Sequence, residues 1–161
     1  MITALSSEFD VPNQPVHPAK PPLILLAEDS EDDAYFFQRT LRKSGASHVF
    51  RRAANGKIAI DELAKALDGQ YLDAVIPAIV FLDLKMPVMS GFDVLEWIKS
   101  GPAFGRTRVV VLSGSNDGVD RARARELGAD HYLVKPVKEE ELREQLEHIS
   151  AIKEAFSGGS S

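Results

Sequence analysis

The sequence predicts an α/β fold: a doubly wound, five-stranded parallel sheet in the order 2-1-3-4-5, with five helices. Three observations predict it. Short apolar runs alternate with stretches of helical periodicity, five times over in about 130 residues. The runs are mostly continuous rather than alternating, as expected of strands covered on both faces. Four of the five end in a polar group, which places those groups along one edge of a sheet whose crossovers are right-handed.

The elements follow in order. LILLA at 23–27 is the first strand and stops at Glu28-Asp29-Ser30. Ser30 with Asp33 has the spacing of a capping box, so a helix is predicted over 31–43, with Ala34, Phe37, Leu41 and Ser44 on one face and Gly45 at its stop. Residues 48–53 form a weaker second strand with Val49 at its centre. Asn55-Gly56 is a turn, and 57–67 a helix facing inward with Ile60, Leu63, Ala64 and Leu67. A loop over 68–77 ends at Pro77. The third strand, 79–83, is rich in β-branched and aromatic residues and ends in Asp83. Pro87 and Gly91 mark a loop, and a short helix over 92–99 buries Leu95 and Ile98 before Ser100-Gly101-Pro102 breaks it. RVVVL at 108–112 is the fourth strand and ends at Ser113-Gly114-Ser115. A helix over 120–127 stops at Gly128. HYLV at 131–134 is the fifth strand and ends at Lys135-Pro136. The last helix is predicted from 139 to about 156, with Leu142, Leu146, Ile149 and Ile152 as its apolar stripe.

Composition narrows the function classes. The 161 residues suggest one domain, 23–156, between a proline-rich extension at 1–22 and a flexible tail at 157–161. Five of the nine prolines lie in that extension, which favours extended backbone. Nineteen basic against 24 acidic residues give a net charge of −5, which argues against nonspecific binding to DNA or anionic lipid. The absence of cysteine excludes disulfides, thiolate catalysis and cysteine-ligated metals. No membrane span or signal peptide is visible, so a cytoplasmic protein is expected.

Order 2-1-3-4-5 puts the ligand crevice between strands 1 and 3, outside their carboxyl ends. Glu28 and Asp29 arrive there from strand 1 and Asp83 from strand 3, with Ser113-Gly114 and Lys135 next door. Each alone is read most simply as a turn former, a cap or a solvated charge. Together, three crowded acids disfavour one another's ionised forms unless a cation compensates. Mg²⁺ suits such a set, because it binds through one or two carboxylates and keeps waters and phosphate oxygens as other ligands. Lys135, the Ser113 hydroxyl and nearby N–H groups could then hold an anion.

The motifs EDS (28–30), FLDLKMPVMSG (81–91), VVLSG (110–114) and YLVKP (132–136), in this order and spacing, resemble the receiver domain of two-component response regulators, a flavodoxin-like fold. The resemblance covers about residues 23–150. It implies that Asp83 is the phosphoacceptor. It implies that Glu28, Asp29, Asp83 and the backbone carbonyl of Lys85 hold Mg²⁺. Ser113 and Gly114 would bind the phosphoryl group and Lys135 would pair with it. Tyr132 would be the aromatic switch and Pro136 the cis proline that orients Lys135. Lys85 and Ser115 would tune dephosphorylation, and Lys85 could pair with unphosphorylated Asp83. A sensor histidine kinase or a phosphotransfer protein would be the donor, and the face of helix 4, strand 5 and helix 5 would control a downstream protein. EDSEDDAYFFQR at 28–39 is similar to stand-alone receivers that serve bacterial phytochromes, which makes a bacteriophytochrome kinase and a homodimer expected partners. Such a protein is a switch rather than an enzyme, with at most slow loss of its own phosphate.

Two other classes compete. A haloacid-dehalogenase-type phosphatase also uses an aspartate after a central strand, but carries a second acid two residues later, where this chain has Lys85. A phosphorylation-independent scaffold would keep the cluster only for packing. Asn55-Gly56-Lys57 lacks the spacing of a P-loop. The arginines at 121, 123 and 125 read as a solvated or partner-facing patch rather than a DNA reader.

Overall fold

The computed structural model describes residues 20–68 and 75–149. Five parallel strands, β1 (Leu23–Ala27), β2 (Val49–Ala53), β3 (Ile79–Asp83), β4 (Arg108–Ser113) and β5 (His131–Val134), form one sheet in the order β2-β1-β3-β4-β5. Five helices alternate with them: α1 (Glu31–Lys43), α2 (Gly56–Leu67), α3 (Gly91–Lys99), α4 (Gly118–Glu126) and α5 (Glu139–Glu147), with a 3₁₀ turn at Pro102–Phe104. The fold class and strand order are those expected. The proline-rich residues 1–19, most of the loop at 69–74, and the terminal stretch with Ile152, Phe156 and the tail 157–161 lie outside the described residues.

Strand side chains alternate between two apolar cores. Leu25, Ala27, Val80, Leu82, Val109 and Val111 face Leu63, Val94, Leu95, Ile98 and Ala124 of α2, α3 and α4. Ile24, Leu26, Ile79, Phe81, Val110 and Leu112 face Ala34, Phe37, Leu41, Leu142 and Leu146 of α1 and α5. The register Ile24↔Ile79 and Phe81↔Val110 keeps each set on its own face, and a one-residue slip would exchange the two. Phe37 from α1 meets Phe81 with ring centroids 4.7 Å apart. Because both faces are covered, central strands read as unbroken apolar runs.

Four expectations are corrected at the level of the element. Val49 opens β2 instead of centring it and is 42% exposed, because β2 is an edge strand paired with β1 alone. The inward face of α2 is Gly56, Ala59 and Leu63, with Ile60 at its margin; Ala64 and Leu67 face out. The helix is turned so that Gly56 can sit against Met89, whose Cβ would lie 2.9 Å from a Cβ at position 56. The helix α4 starts two residues early, because Asp117 caps it by accepting from the Val119 N–H at 2.9 Å. The helix α5 ends at Glu147, where the N–H groups of His148 and Ile149 donate to Gln145 and Leu146 and tighten the last turn. Buried Gln145 on α5 accepts from Arg108 Nε at 3.1 Å and Nη2 at 2.8 Å, which ties α5 to β4.

Candidate functional site

The first strand runs out into Glu28 and Asp29, and β3 into Asp83, its last residue. These strands are neighbours, but the chain leaves them toward opposite faces, to α1 and to α3. The crevice between the departing chains is where a doubly wound sheet binds its ligands. One carboxylate oxygen from each of Glu28, Asp29 and Asp83 lies within 4.8 Å of the others. Glu28 and Asp83 are buried and Asp29 is exposed, so the cluster has a buried floor and an open rim.

Lys135 reaches this cluster from across the sheet. The Lys135 N–H donates to the Ser113 carbonyl at 2.7 Å, continuing the β4–β5 ladder one residue past the end of β5. The Lys135–Pro136 peptide bond is cis. The Lys135 ammonium lies 2.8 Å from Glu28 Oε2, 2.9 Å from Asp33 Oδ2 and 3.4 Å from Asp83 Oδ1. Burial pushes both Glu28 and Asp83 above the usual carboxylate range, against the pull of Lys135. The negative charge of Asp83 raises Glu28 further. Burial alone would lower Lys135, but its hydrogen bonds to Glu28 and Asp33 prevail and hold it above the usual lysine value. With the neighbouring Asp29 and Asp33, one ammonium faces four carboxylates. Three convergent carboxylate oxygens with that surplus of negative charge are the donor set a hard divalent cation such as Mg²⁺ takes.

The remaining expected residues are placed as follows. Ser113 is buried at the end of β4, and its Oγ accepts from the Ser115 N–H at 3.1 Å, leaving its own proton free to donate. Gly114 is exposed, with open space where a Cβ would stand. Tyr132 is buried; its hydroxyl donates to the Ser115 carbonyl at 2.8 Å. The Lys85 N–H pulls the Asp83 carboxyl down, against its burial, while the Lys85 side chain is exposed. Lysine 135, not Lys85, is the cation beside Asp83.

Three contributors escaped sequence reasoning. Asp33 was expected only to cap α1. Arg52 donates from Nε to the Glu28 carbonyl at 3.0 Å and from Nη2 to the Asp29 carbonyl at 3.1 Å, bracing the acidic loop from β2. Arg121 places its guanidinium 4.7 Å from the centroid of the Tyr132 ring and donates to Asn116 Oδ1 at 2.9 Å. The run of acids in EDSEDD hinted at the first. Nothing local marked Arg52, and Arg121 was read only as part of a solvated or partner-facing patch, since both act across strand or loop boundaries. A cleft of about 450 Å³ opens beside the acids, lined by Asp33, Phe36, Phe37, Lys135, Pro136 and Val137 among others.

A parallel 2-1-3-4-5 sheet with acids after β1 and at the end of β3 and a lysine after β5 is the arrangement of a receiver domain, and comparison with known proteins agrees. The response regulator receiver domain family matches residues 24–147, and the chain belongs to that family. Among its relatives is the response regulator Rcp1 of Synechocystis, 35% identical over 115 residues that span 71% of this chain and 77% of Rcp1. The structure of Rcp1 in its Mn²⁺-bound form superposes with a TM-score of 0.65 at 30% identity, covering 88% of this chain and 98% of that one. The bacteriophytochrome response regulator AtBRR superposes at 0.70 and 30% identity, over 82% and 94% of the two chains. The phosphorylated cyanobacterial phytochrome response regulator RcpA does so at 0.66 and 29%, over 88% and 97%. The chain is thus related to phytochrome-associated regulators. Among the described residues no helix is long and apolar enough to cross a membrane.

Proposed function

We propose that this protein is a phosphorylation switch in which Asp83 accepts a phosphoryl group from phosphohistidine on a sensor kinase or phosphotransfer protein. The observation that carries the reading is the meeting of Glu28, Asp29 and Asp83 within 4.8 Å, with the Lys135 ammonium 3.4 Å from Asp83. Similarity to a phosphorylated receiver and to an Mn²⁺-bound one supports it. Glu28, Asp29, Asp83 and the Lys85 carbonyl are the proposed Mg²⁺ ligands. Bound there, the cation would offset charge on the transferring phosphoryl group.

The chain's own residues do the rest. An Asp83 oxygen attacks phosphorus in line, an O–P bond forms, the P–N bond to the donor imidazole breaks, and its electron pair stays with the imidazole. Positioning and electrostatics supply most of the catalysis. Lys135 gives its ammonium to the new phosphoryl oxygens. Ser113 donates its free hydroxyl proton to another, beside the N–H of Gly114. Because Tyr132 binds the Ser115 carbonyl and Ser115 binds Ser113, a shift of Ser113 is felt at Tyr132. The face of α4, β5 and α5 then changes its population of shapes; a clean switch needs about 5.5 kcal/mol of preference between states. Lys85 and Ser115 flank the phosphate and set water's access to it.

Kinship to phytochrome response regulators supports a bacteriophytochrome kinase as donor. Arg121 and Arg125, one turn apart and exposed on α4, and exposed Glu139, Glu140 and Glu144 on α5 offer charges of opposite sign, which supports a homodimer as well as a downstream protein. Acetyl phosphate with Mg²⁺, read by intact mass and sizing chromatography, tests the reading. One phosphoryl group is expected on the protein and none on Asp83→Asn. Equal labelling of the variant overturns it, as does rapid multi-turnover hydrolysis of phosphomonoesters, which would make the protein a phosphatase.

A further inference from the structure

The N-termini of α1 and α3 carry the same capping sequence type, serine followed three residues later by aspartate, and resolve it differently. At α3 both halves close: Ser90 Oγ accepts from the Asp93 N–H at 3.3 Å, and Asp93 Oδ2 accepts from the Ser90 N–H at 3.2 Å. At α1 only the first half forms, with Ser30 Oγ accepting from the Asp33 N–H at 3.2 Å. The Ser30 N–H donates instead to Glu28 Oε1 at 3.1 Å. Asp33, released from the cap, turns its Oδ2 to the Lys135 ammonium at 2.9 Å. Local capping rules do not call for this; the carboxylate has been drawn to a charge 102 residues away in sequence.

The consequence lies in what Lys135 does to Glu28. Both Glu28 oxygens are engaged, Oε1 by the Ser30 N–H and Oε2 by Lys135 at 2.8 Å. A divalent cation that ligates Glu28 has to contend with an ammonium already on that carboxylate, and two positive charges sharing one carboxylate repel. Without a second acceptor, Lys135 could leave Glu28 only for Asp83, itself a proposed ligand of the cation. Asp33 is the acceptor outside the cluster, half-exposed where Glu28 is buried.

We infer that Asp33 is a positioning residue: it holds the Lys135 ammonium beside Asp83 when Glu28 turns to a divalent cation, so that lysine and cation occupy the acidic pocket together. The inference rests on the metal site in the reading above and extends it to a residue outside that site. Asp33 acts through Lys135 and touches neither the reacting atoms nor the cation.

The test is Mn²⁺ titration by calorimetry on the metal-free protein, with no phosphoryl donor present. It covers wild type, Asp33→Asn, Lys135→Met and the double variant, with urea melts to show that each folds. Asp33→Asn should weaken Mn²⁺ binding about five- to tenfold. Lys135→Met should tighten it, since the competitor is gone. In the Lys135→Met background, Asp33→Asn should change affinity by about twofold or less, because its work is done through the lysine. The inference alone is overturned if wild type binds Mn²⁺ and Asp33→Asn binds it equally well. It is likewise overturned if Asp33→Asn weakens binding as much without Lys135 as with it, which would make Asp33 a bare charge acting on the metal. A wild-type protein that takes up no Mn²⁺ would sink the metal site and this inference together.

Discussion

Asp83 is held by opposing influences, and their balance predicts what its removal does. Burial raises its pKa, while Lys135 and the Lys85 N–H lower it, and the net direction is up. Glu28 is raised as well, first by burial. An acid whose folded pKa is raised binds its proton more tightly in the native state. Its favourable contribution is therefore present below the unfolded pKa and lost as pH rises through the folded value. At neutral pH, without metal, ionised Asp83 is thus a cost. Replacing it with the neutral isostere Asn should stabilise the metal-free fold at pH 7, read as a higher urea midpoint in chelator. The gain should shrink as pH falls through the raised native value of Asp83 and be gone below its ordinary 3.8. Lys135 is raised too, so its contribution is complete below its ordinary 10.5 and does not alter the result at neutral pH.

At the scale of the element, the loop from β3 to α3 does two separable jobs. The Ser90–Asp93 box starts α3, and Gly91 lets that start lie against the end of β3. A Cβ at Gly91 would meet the carbonyl oxygen of Asp83 and come within 2.7 Å of the Leu84 Cα, so backbone would have to move. The Gly91 N–H also donates to the Leu84 carbonyl at 3.0 Å, locking the loop one residue from Asp83. Ser90→Ala should therefore cost about 1 kcal/mol of stability and leave the rate of labelling by acetyl phosphate nearly unchanged. Gly91→Ala should cost about 2–3 kcal/mol and slow labelling as well, because the displaced strand end carries Asp83. Urea melts and a time course of intact mass separate the two. An equal slowing of both variants would show that the cap, not the close approach, positions the aspartate.

For the whole molecule, the proposed cation site would couple stability to cation binding. A cation that binds only the folded state stabilises it by about 2.7 kcal/mol at a hundred times its dissociation constant. Saturating Mg²⁺ should raise the melting temperature of the wild type. It should do little for Asp83→Asn, whose pocket has lost one proposed ligand. The two proteins should therefore exchange rank, the variant melting higher in chelator and the wild type gaining on it in Mg²⁺. Failure of Mg²⁺ to move either melt would remove the cation from the proposal.

The sequence alone determined the sheet and the addresses of its acids. The bounds of β1, β3 and β5 were legible because an apolar run that ends in a charge or a breaker is a local signal, and five such runs admit few topologies. The positions of Glu28, Asp83, Ser113 and Lys135 at one edge followed from those bounds. What only the tertiary structure decided was which side chain meets which. The turn of α2 about its axis came from contact between Gly56 and Met89. The choice of Asp33 over its local capping partner came from Lys135, and the packing of Arg121 on Tyr132 from the crossing of α4 over β5. Periodicity ranks the faces of a helix but not the neighbour that claims one. Pairings between residues more than a hundred positions apart in the chain exist only once the strand order has brought them to a few ångströms.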